Sequence, residues 1–188
     1  MTKIALFGTS ADPPTAGHES IVRWLSEHFD YVGIWAADNP YKNHRTSLDH
    51  RMAMLKLLID NINASSNNIH LSKSLSHRHS IVSVGKAKEI WGENADYFFV
   101  IGSDLVKQIC QWYRINELLA EVSLLIVPRP GYTIKESDLK GLEEIGGKYE
   151  IADLNAPAVS STAYRKHGNE NVLIPPIQDY IHQEKLYA

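Results

Sequence analysis

With 188 residues, 44% of them hydrophobic and 22% charged, the chain is long enough to bury the core of one globular domain, which we expect to span residues 1–188. Its 19 Lys and Arg residues against 22 Asp and Glu residues give a formal net charge of -3, which argues against partners such as nucleic acid or an anionic membrane. Its one cysteine, Cys110, excludes a disulfide within the chain, and no apolar stretch is long enough for a signal peptide or a membrane span, so we expect a cytoplasmic protein.

Six short apolar runs predict β-strands. They are residues 4–7, 31–36, 69–71, 97–101, 124–127 and 149–151. Apolar residues at helical spacing lie between the first strands, in residues 21–29 and in residues 52–59, where Thr46 or Ser47 is available to start the second helix. Residues 135–148 predict a surface helix and loop. Continuous apolar strands that alternate with helices indicate an α/β domain, with a Rossmann-like parallel sheet of about six strands and helices on both faces.

The loop after the first strand lies where ligands collect in parallel α/β sheets. It reads Gly8-Thr9-Ser10-Ala11-Asp12-Pro13-Pro14-Thr15-Ala16-Gly17-His18. Gly8 permits a sharp turn, and Gly17 lets a ligand approach main-chain amides where the next helix begins. Those amides and the positive end of the helix favour phosphate. The glycine spacing fits neither the GxGxxG nor the GxxxxGK[ST] motif, which argues against a hydride-transfer or P-loop protein.

Taken alone, this loop also fits an ordinary strand-to-helix turn, with Thr15 as the helix cap and His18 as a surface residue. It resembles the GTFDPxHxGH signature of the nucleotidyltransferase superfamily, in which the HxGH or TxGH element binds the triphosphate of ATP. Here that element is TxGH, beginning at Thr15, and the resemblance implies catalytic roles for Thr15 and His18. The ATP contacts that it implies in this loop are Gly8, Thr9, Ser10, Gly17 and His18.

A second hydroxyl-rich segment lies near the other end of the chain. Val159-Ser160-Ser161-Thr162-Ala163-Tyr164-Arg165 resembles the superfamily's ISSTxIR segment, with Tyr164 in place of an aliphatic residue. Hydroxyls before a helix can cap its amides or hold phosphate oxygens, and Arg165 can bind phosphate through two N–H groups. The resemblance implies a catalytic role for Arg165. The ATP contacts that it implies here are Ser160, Ser161, Thr162 and Arg165.

A long-range pattern in the middle of the chain resembles one family of that superfamily. Gly102-Ser103-Asp104 after a strand, then Trp112, then Arg129-Pro130-Gly131 resemble the IGxD…W…RPG arrangement of the nicotinate (or nicotinamide) mononucleotide adenylyltransferases. Asp104 can accept hydrogen bonds from a ribose or an adenine amine, or cap the following helix. Trp112 can stack on a pyridine ring, or be core. The resemblance implies ATP contacts from Gly102 and Asp104, and pyridine nucleotide contacts from Trp112 and Arg129.

The remaining candidates lie where this family places substrate-loop residues. Lys42, on a Pro-bounded loop after the second strand, is predicted both to bind the pyridine nucleotide and to act in catalysis. Arg51 is equally well explained as a solvated surface charge on a helix. Where the family usually has SYTxDT, the chain reads His77-Arg78-His79-Ser80-Ile81-Val82-Ser83, which leaves Ser80 as the pyridine-side candidate. No further His or Cys lies at ligand spacing near these histidines, so we predict no metal held by protein side chains.

The chemistry that the resemblance implies needs no strong base. A nucleotide monophosphate is largely dianionic at neutral pH, because its second pKa is about 6, and it can attack the α-phosphorus of ATP directly. Cationic and N–H groups, with His18 among them, then stabilise the developing charge, and Mg²⁺ bridges the triphosphate through the phosphates of ATP. The closing residues 173–187 resemble the helical tail of the same family, where the role of that tail is structural.

Two other functions stay open from the sequence. A phosphopantetheine adenylyltransferase is favoured by the TxGH element but disfavoured by Trp112, the Arg129-Pro130-Gly131 segment and the tail. A non-catalytic nucleotide-binding regulatory module would explain Thr15, Val82 and Tyr164 as decay of an active site. The sequence also leaves open whether the pyridine substrate is the acid or the amide, and whether the chain forms homo-oligomers.

Overall fold

The computed structural model describes residues 1–62 and 67–188, and all six strands of its single sheet run in the same direction. The strands are β1 (Lys3–Thr9), β2 (Tyr31–Ala36), β3 (Ile69–Leu71), β4 (Asp96–Gly102), β5 (Ser123–Val127) and β6 (Tyr149–Ile151). Their order across the sheet is β3-β2-β1-β4-β5-β6. The predicted strands and the α/β class are therefore confirmed. Because the order reverses between β1 and β4, a crevice opens beyond their carboxyl ends.

Within the described residues, seven α-helices connect or follow the strands. They are α1 (Ala16–His28), α2 (Leu48–Asn61), α3 (Ser80–Trp91), α4 (Ile115–Glu121), α5 (Glu136–Glu144), α6 (Ser161–His167) and α7 (Pro175–Glu184). Ser47 caps α2 by accepting a hydrogen bond from the His50 amide at 3.2 Å, which decides between the two predicted starts. The predicted surface helix appears as α5, and it nevertheless anchors itself by burying Leu142 completely.

The core is divided by the sheet into two layers. Alternate residues of β1 point to opposite faces, so Ala5 and Phe7 contribute to one layer and Ile4 and Leu6 to the other. The first layer includes buried residues of α1, α2 and α7, and the second includes buried residues of α3, α4 and α5. Helices thus cover both faces, as the sequence predicts. In the described parts of the chain, no helix has the length and apolarity needed to cross a membrane.

Gly8 has a different role from the one predicted. It lies inside β1 rather than in a turn, opposite Trp35 of β2. A Cβ at Gly8 would lie 2.5 Å from Cε2 of the Trp35 indole, closer than any real contact. Glycine is therefore needed at this position because the buried Trp35 ring crosses directly over the strand, just before β1 enters the candidate site.

Candidate active site

The two sequence segments predicted to bind ATP are in contact with each other. The Ser161 hydroxyl, in the first turn of α6, donates to the Pro13 carbonyl at 2.7 Å across a sequence separation of 148 residues. Arg165 Nη1 donates to the Asp12 carbonyl at 2.6 Å. A Cβ at Gly17 would lie 3.3 Å from Val159, so that glycine lets the two segments approach closely. The loop after β1 and the start of α6 therefore form one wall of the crevice.

His18 is held by the start of its own helix. The Thr15 amide donates to His18 Nδ1 at 2.9 Å, and the Thr15 hydroxyl lies 3.1 Å from the same nitrogen. Because Nδ1 accepts the hydrogen bond from the amide, the proton of the neutral ring is on Nε2. Burial, followed by the positive charges of Arg129 and Lys42, lowers the pKa of His18 to about 4. At neutral pH, His18 is therefore an uncharged donor through Nε2–H.

Thr15 is the capping residue at the start of α1, which is one of the two roles predicted for it. The residue is only 1% exposed, and its hydroxyl lies against the imidazole. This contact orients the ring of His18, which is the less buried of the two residues. A direct phosphate contact from Thr15 stays a prediction.

Three cations from distant parts of the sequence lie within electrostatic reach of one another, and we call Lys42, Arg129 and Arg165 the cationic site. Desolvation lowers the pKa of Lys42, Asp104 opposes that effect, and Arg129 and Arg165 add to it. Arg129 and Lys42 also lower the pKa of His18. Like charges gathered this closely are unfavourable without a counter-charge, which is the electrostatic signature of an anion-binding site.

Asp104 supplies a carboxylate that pairs with the cationic site. Its Oδ2 lies 3.2 Å from Arg129 Nη1, and the Arg129 amide donates to the Ser103 hydroxyl at 2.8 Å. Asp104 lies inside a short helical turn, residues 103–105, rather than at the position before a helix, and its carboxylate pairs with Arg129. A Cβ at Gly102 would lie 2.3 Å from Asp104 Oδ1, so the ion pair depends on glycine at the end of β4.

The hydroxyls at the start of α6 all have protein partners. Ser160 caps the helix by accepting from the Ala163 amide at 3.0 Å, so the capping alternative is realised there. Ser161 is bonded to the first loop, and Thr162 accepts from Arg165 Nη2 at 3.3 Å. In the first loop, the Thr9 carbonyl accepts from the Ala37 amide. Phosphate contacts from Thr9, Ser10 and residues 160–162 stay predictions.

The pyridine-side candidates lie beside the second core layer, against which Trp112 packs and to which α3 contributes. Trp112 is half-buried and meets Phe99 edge to face, with ring centres 6.2 Å apart. Ser80 is the first residue of α3, and His79 before it stacks on the exposed Tyr113 at 4.3 Å. Among residues 1–62 and 67–188, no hydrogen bond or ion pair joins Trp112 or Ser80 to the cationic site. Their role in binding a pyridine stays a prediction.

The surface-charge alternative for Arg51 is wrong, and no separate role was predicted for Asp12. Arg51 is 2% exposed rather than solvated, and its Nη1 donates to the carbonyls of Ser10 at 3.0 Å and Ala37 at 2.7 Å. It therefore ties together the loops that follow β1 and β2. Asp12 is also 2% exposed and accepts three hydrogen bonds through its carboxylate. The sequence signal that could have found Asp12 is its position in the loop motif of residues 8–18, in which only its neighbours were given roles.

Comparison with known proteins agrees with this geometry. Residues 6–167 match the model of the family described as cytidylyltransferase-like. The chain is 44% identical to the "Probable nicotinate-nucleotide adenylyltransferase" of Synechocystis sp., covering 98% of each chain. It is 30% identical to the protein of the same name from Bacillus cereus, covering 100% of this chain and 99% of the relative.

Solved structures agree on the fold. The Plasmodium falciparum nicotinic acid mononucleotide adenylyltransferase complexed with NaAD superposes with a TM-score of 0.85 at 24% identity, covering 100% of this chain and 98% of that one. The same enzyme complexed with APC superposes with a TM-score of 0.80, at the same identity and coverage. The full-length identity to the bacterial relatives, together with the family match, leads to one conclusion. The chain belongs to the cytidylyltransferase-like family and, within it, to the nicotinate-nucleotide adenylyltransferases.

Proposed function

We propose that the chain transfers the adenylyl group of ATP to nicotinic acid mononucleotide, giving the dinucleotide and pyrophosphate in NAD biosynthesis. The observation that carries the proposal is the gathering of the cationic site around an uncharged His18, at the point where the strand order reverses. A polyphosphate supplies the negative charge that this arrangement lacks. The bacterial relatives bear the name of the nicotinate enzyme, which favours the acid over the amide.

The triphosphate of ATP binds between the start of α1 and the cationic site. His18 donates its Nε2–H to a phosphate oxygen, and Lys42 and Arg165 offset the charge that grows on the departing pyrophosphate. Each such donor in a preorganised site contributes about 3–4 kcal/mol to the transition state. Thr15 contributes indirectly, because its amide and hydroxyl keep the His18 ring in the required orientation.

The attacking group is the phosphate of the mononucleotide. One of its oxygens forms a bond to the α-phosphorus of ATP while the bond from that phosphorus to the bridging oxygen of pyrophosphate breaks. With a second pKa of about 6, this phosphate has already lost its proton at pH 7, so no base must remove one. That agrees with a His18 whose pKa of about 4 makes it a poor proton acceptor at neutral pH.

The residues of this crevice fit a magnesium ion that arrives with ATP. Asp104 is paired with Arg129, and the buried Asp12 carboxylate already accepts three hydrogen bonds, so neither is free to ligate a metal. In the described residues, no three His, Cys, Asp or Glu side chains are grouped to hold one. Mg²⁺ coordinated by the phosphate oxygens would neutralise part of their charge. The positive charges of Lys42, Arg129 and Arg165 would offset the rest of the negative charge on the phosphates.

For the acceptor substrate, we propose contacts from Trp112, Ser80, Lys42 and Arg129. Arg129 is suited to the acceptor phosphate, because it belongs to the cationic site and Asp104 holds its guanidinium in place. Trp112 offers its indole face to the pyridine ring. A cytoplasmic location, the single domain over residues 1–188 and the formation of homo-oligomers stay predictions.

The phosphopantetheine alternative depended on the TxGH element. Since the Thr15 side chain is buried against His18, its identity reports on how the imidazole is held and not on which acceptor binds in the crevice. The TxGH element therefore does not favour phosphopantetheine over other acceptor substrates. The regulatory alternative is disfavoured because His18, Lys42 and Arg165 retain the charge-handling groups that catalysis needs.

Pyrophosphate release from Mg–ATP tests the proposal. Nicotinic acid mononucleotide, nicotinamide mononucleotide and 4'-phosphopantetheine are offered separately at matched concentrations, and kcat/KM is compared among them. We expect release with the acid in clear preference to the amide, and none with phosphopantetheine. Preference for phosphopantetheine would establish the rival enzyme. No release with any acceptor, although ATP binds, would point to the regulatory module.

A further inference from the structure

The residues after α7 turn back towards the candidate site. Lys185 adopts a left-handed conformation with φ 54°, and the Leu186 amide donates to the Ile181 carbonyl at 3.0 Å. This turn brings Tyr187 into contact with the loop that follows β1. The Tyr187 ring meets Tyr164 of α6 edge to face, with ring centres 5.8 Å apart. Its hydroxyl donates to Asp12 Oδ1 at 2.5 Å across a sequence separation of 175 residues.

Asp12 receives hydrogen bonds from three separate parts of the chain. Besides Tyr187, its carboxylate accepts from the Arg45 amide at 2.6 Å and from the Thr46 hydroxyl at 2.9 Å. Its carbonyl accepts from Arg165 Nη1 at 2.6 Å. Burying a carboxylate to 2% exposure costs free energy unless such donors stay in place. Asp12 therefore bonds through its carbonyl to Arg165, a member of the cationic site. Through its carboxylate it bonds to the loop that contains Lys42.

The Lys42 loop, residues 37–47, is held at its two ends. At one end the Ala37 carbonyl accepts from Arg51, and at the other end Arg45 and Thr46 donate to Asp12. Between these points Pro40, Tyr41 and Asn43 are exposed. His44 Nε2 also lies 3.4 Å from the Ser10 hydroxyl. The position of Lys42 therefore depends on these anchors, and Tyr187 acts on one of them.

We propose that Tyr187 is a positioning residue, which fixes the Asp12 carboxylate and thereby aligns Lys42 and Arg165 for phosphoryl transfer. The inference rests on the proposed adenylyl transfer and extends it to the segment after α7, for which sequence comparison implied only a structural role. Burial and the hydrogen bond to Asp12 raise the pKa of Tyr187, so its hydroxyl keeps its proton at any pH where the enzyme works. Tyr187 is thus a constant donor rather than a switch.

Tyr187→Phe isolates the hydroxyl, because it keeps the ring that packs on Tyr164. We expect kcat/KM with ATP to fall about tenfold, the factor expected for one lost hydrogen bond to a carboxylate. Most of the loss should be in kcat, since Lys42 and Arg165 act on charge that develops in the transition state. Hydrogen exchange at the Arg45 amide should accelerate, because its acceptor is less firmly held.

Tyr180→Phe is the matched control. The Tyr180 hydroxyl lies 2.8 Å from His50 Nδ1 and joins α7 to α2, so this variant also removes one tyrosine hydroxyl contact from the same region. It does not touch Asp12. A purely structural role of the segment predicts that both variants lose stability and activity alike. The positioning role predicts that Tyr180→Phe keeps the turnover and the Arg45 exchange of the natural chain.

Three results would overturn the positioning role: natural turnover in Tyr187→Phe, unchanged exchange at Arg45, or equal loss of turnover in both variants. Failure of the proposed function is separate. If the natural chain makes no dinucleotide, the adenylyl transfer proposal fails, while the exchange experiment still reports whether Tyr187 holds the Lys42 loop. Slow turnover and faster Arg45 exchange in Tyr187→Phe alone would support the inference.

Discussion

Replacing His18 with Ala removes two interactions that the structure keeps distinct. The first is the Nε2–H donor to phosphate, whose loss typically costs about 3–4 kcal/mol, or a factor of ~10²–10³ in kcat. The second is the acceptor for the Thr15 amide at 2.9 Å. Thr15 is 1% exposed, so water cannot replace that acceptor, and we expect the free energy of unfolding to fall by ~1–2 kcal/mol.

His18→Gln separates the two effects. At the third position of a helix, a Gln side chain can accept from the amide of the capping residue, as in a capping box. We therefore expect its free energy of unfolding to lie within about 0.5 kcal/mol of the natural chain. Its flexible amide is not held where the imidazole N–H was, so kcat should still fall at least ~10-fold.

Steady-state pyrophosphate release at saturating ATP and nicotinic acid mononucleotide gives kcat, and urea unfolding gives the free energy. Two results would refute the reasoning. Natural turnover in His18→Ala would mean that the ring contacts no reacting phosphate. Full recovery of turnover in His18→Gln, together with stability, would mean that His18 serves only to cap α1.

Three further predictions follow from the surroundings of the site. Because the pKa of His18 is about 4 in the folded chain and near 6.5 when unfolded, protonation favours unfolding. The free energy of unfolding should therefore fall as the pH drops from about 6.5 to about 4. Urea unfolding of the natural chain should show this loss more strongly than urea unfolding of His18→Gln. Gly102→Ala places a Cβ 2.3 Å from Asp104 Oδ1 and should lower kcat/KM by up to ~100-fold in the release assay. Arg51→Met removes the donor of the half-buried Ser10 and Ala37 carbonyls and should cost ~1–3 kcal/mol in urea unfolding. A cost near zero would contradict its bridging role.

The fold could be predicted because its signals are local. The four central strands, β1, β2, β4 and β5, contain short apolar runs without polar alternation, and this pattern is typical of a sheet covered on both faces. The start of α2 at Ser47 follows from the preference of hydroxyl residues for helix caps. Gly8 was predicted as a turn residue because the sequence does not reveal that the Trp35 ring, 27 positions away along the chain, occupies the space beside it.

The arrangement around the site was less predictable, because its contacts join distant residues. Asp12 bonds to Arg45 and Tyr187 across separations of 33 and 175 residues, and one of those donors is a main-chain amide that leaves no mark in the sequence. The sequence suggests a surface charge at Arg51, because its two acceptors are main-chain carbonyls and no acidic side chain in the sequence marks them as partners. The protonation of His18 likewise depends on a backbone hydrogen bond and on cations from other segments.

The most direct test of the central claim follows the α-phosphorus of ATP. ATP labelled at that position is incubated with Mg²⁺, nicotinic acid mononucleotide and either the natural chain or His18→Ala. The account predicts that the natural chain moves the label into the dinucleotide and leaves the pyrophosphate unlabelled, and that the variant does so about 100-fold more slowly. Label that stays in ATP although the natural chain binds it, or equal rates with and without His18, would contradict the account.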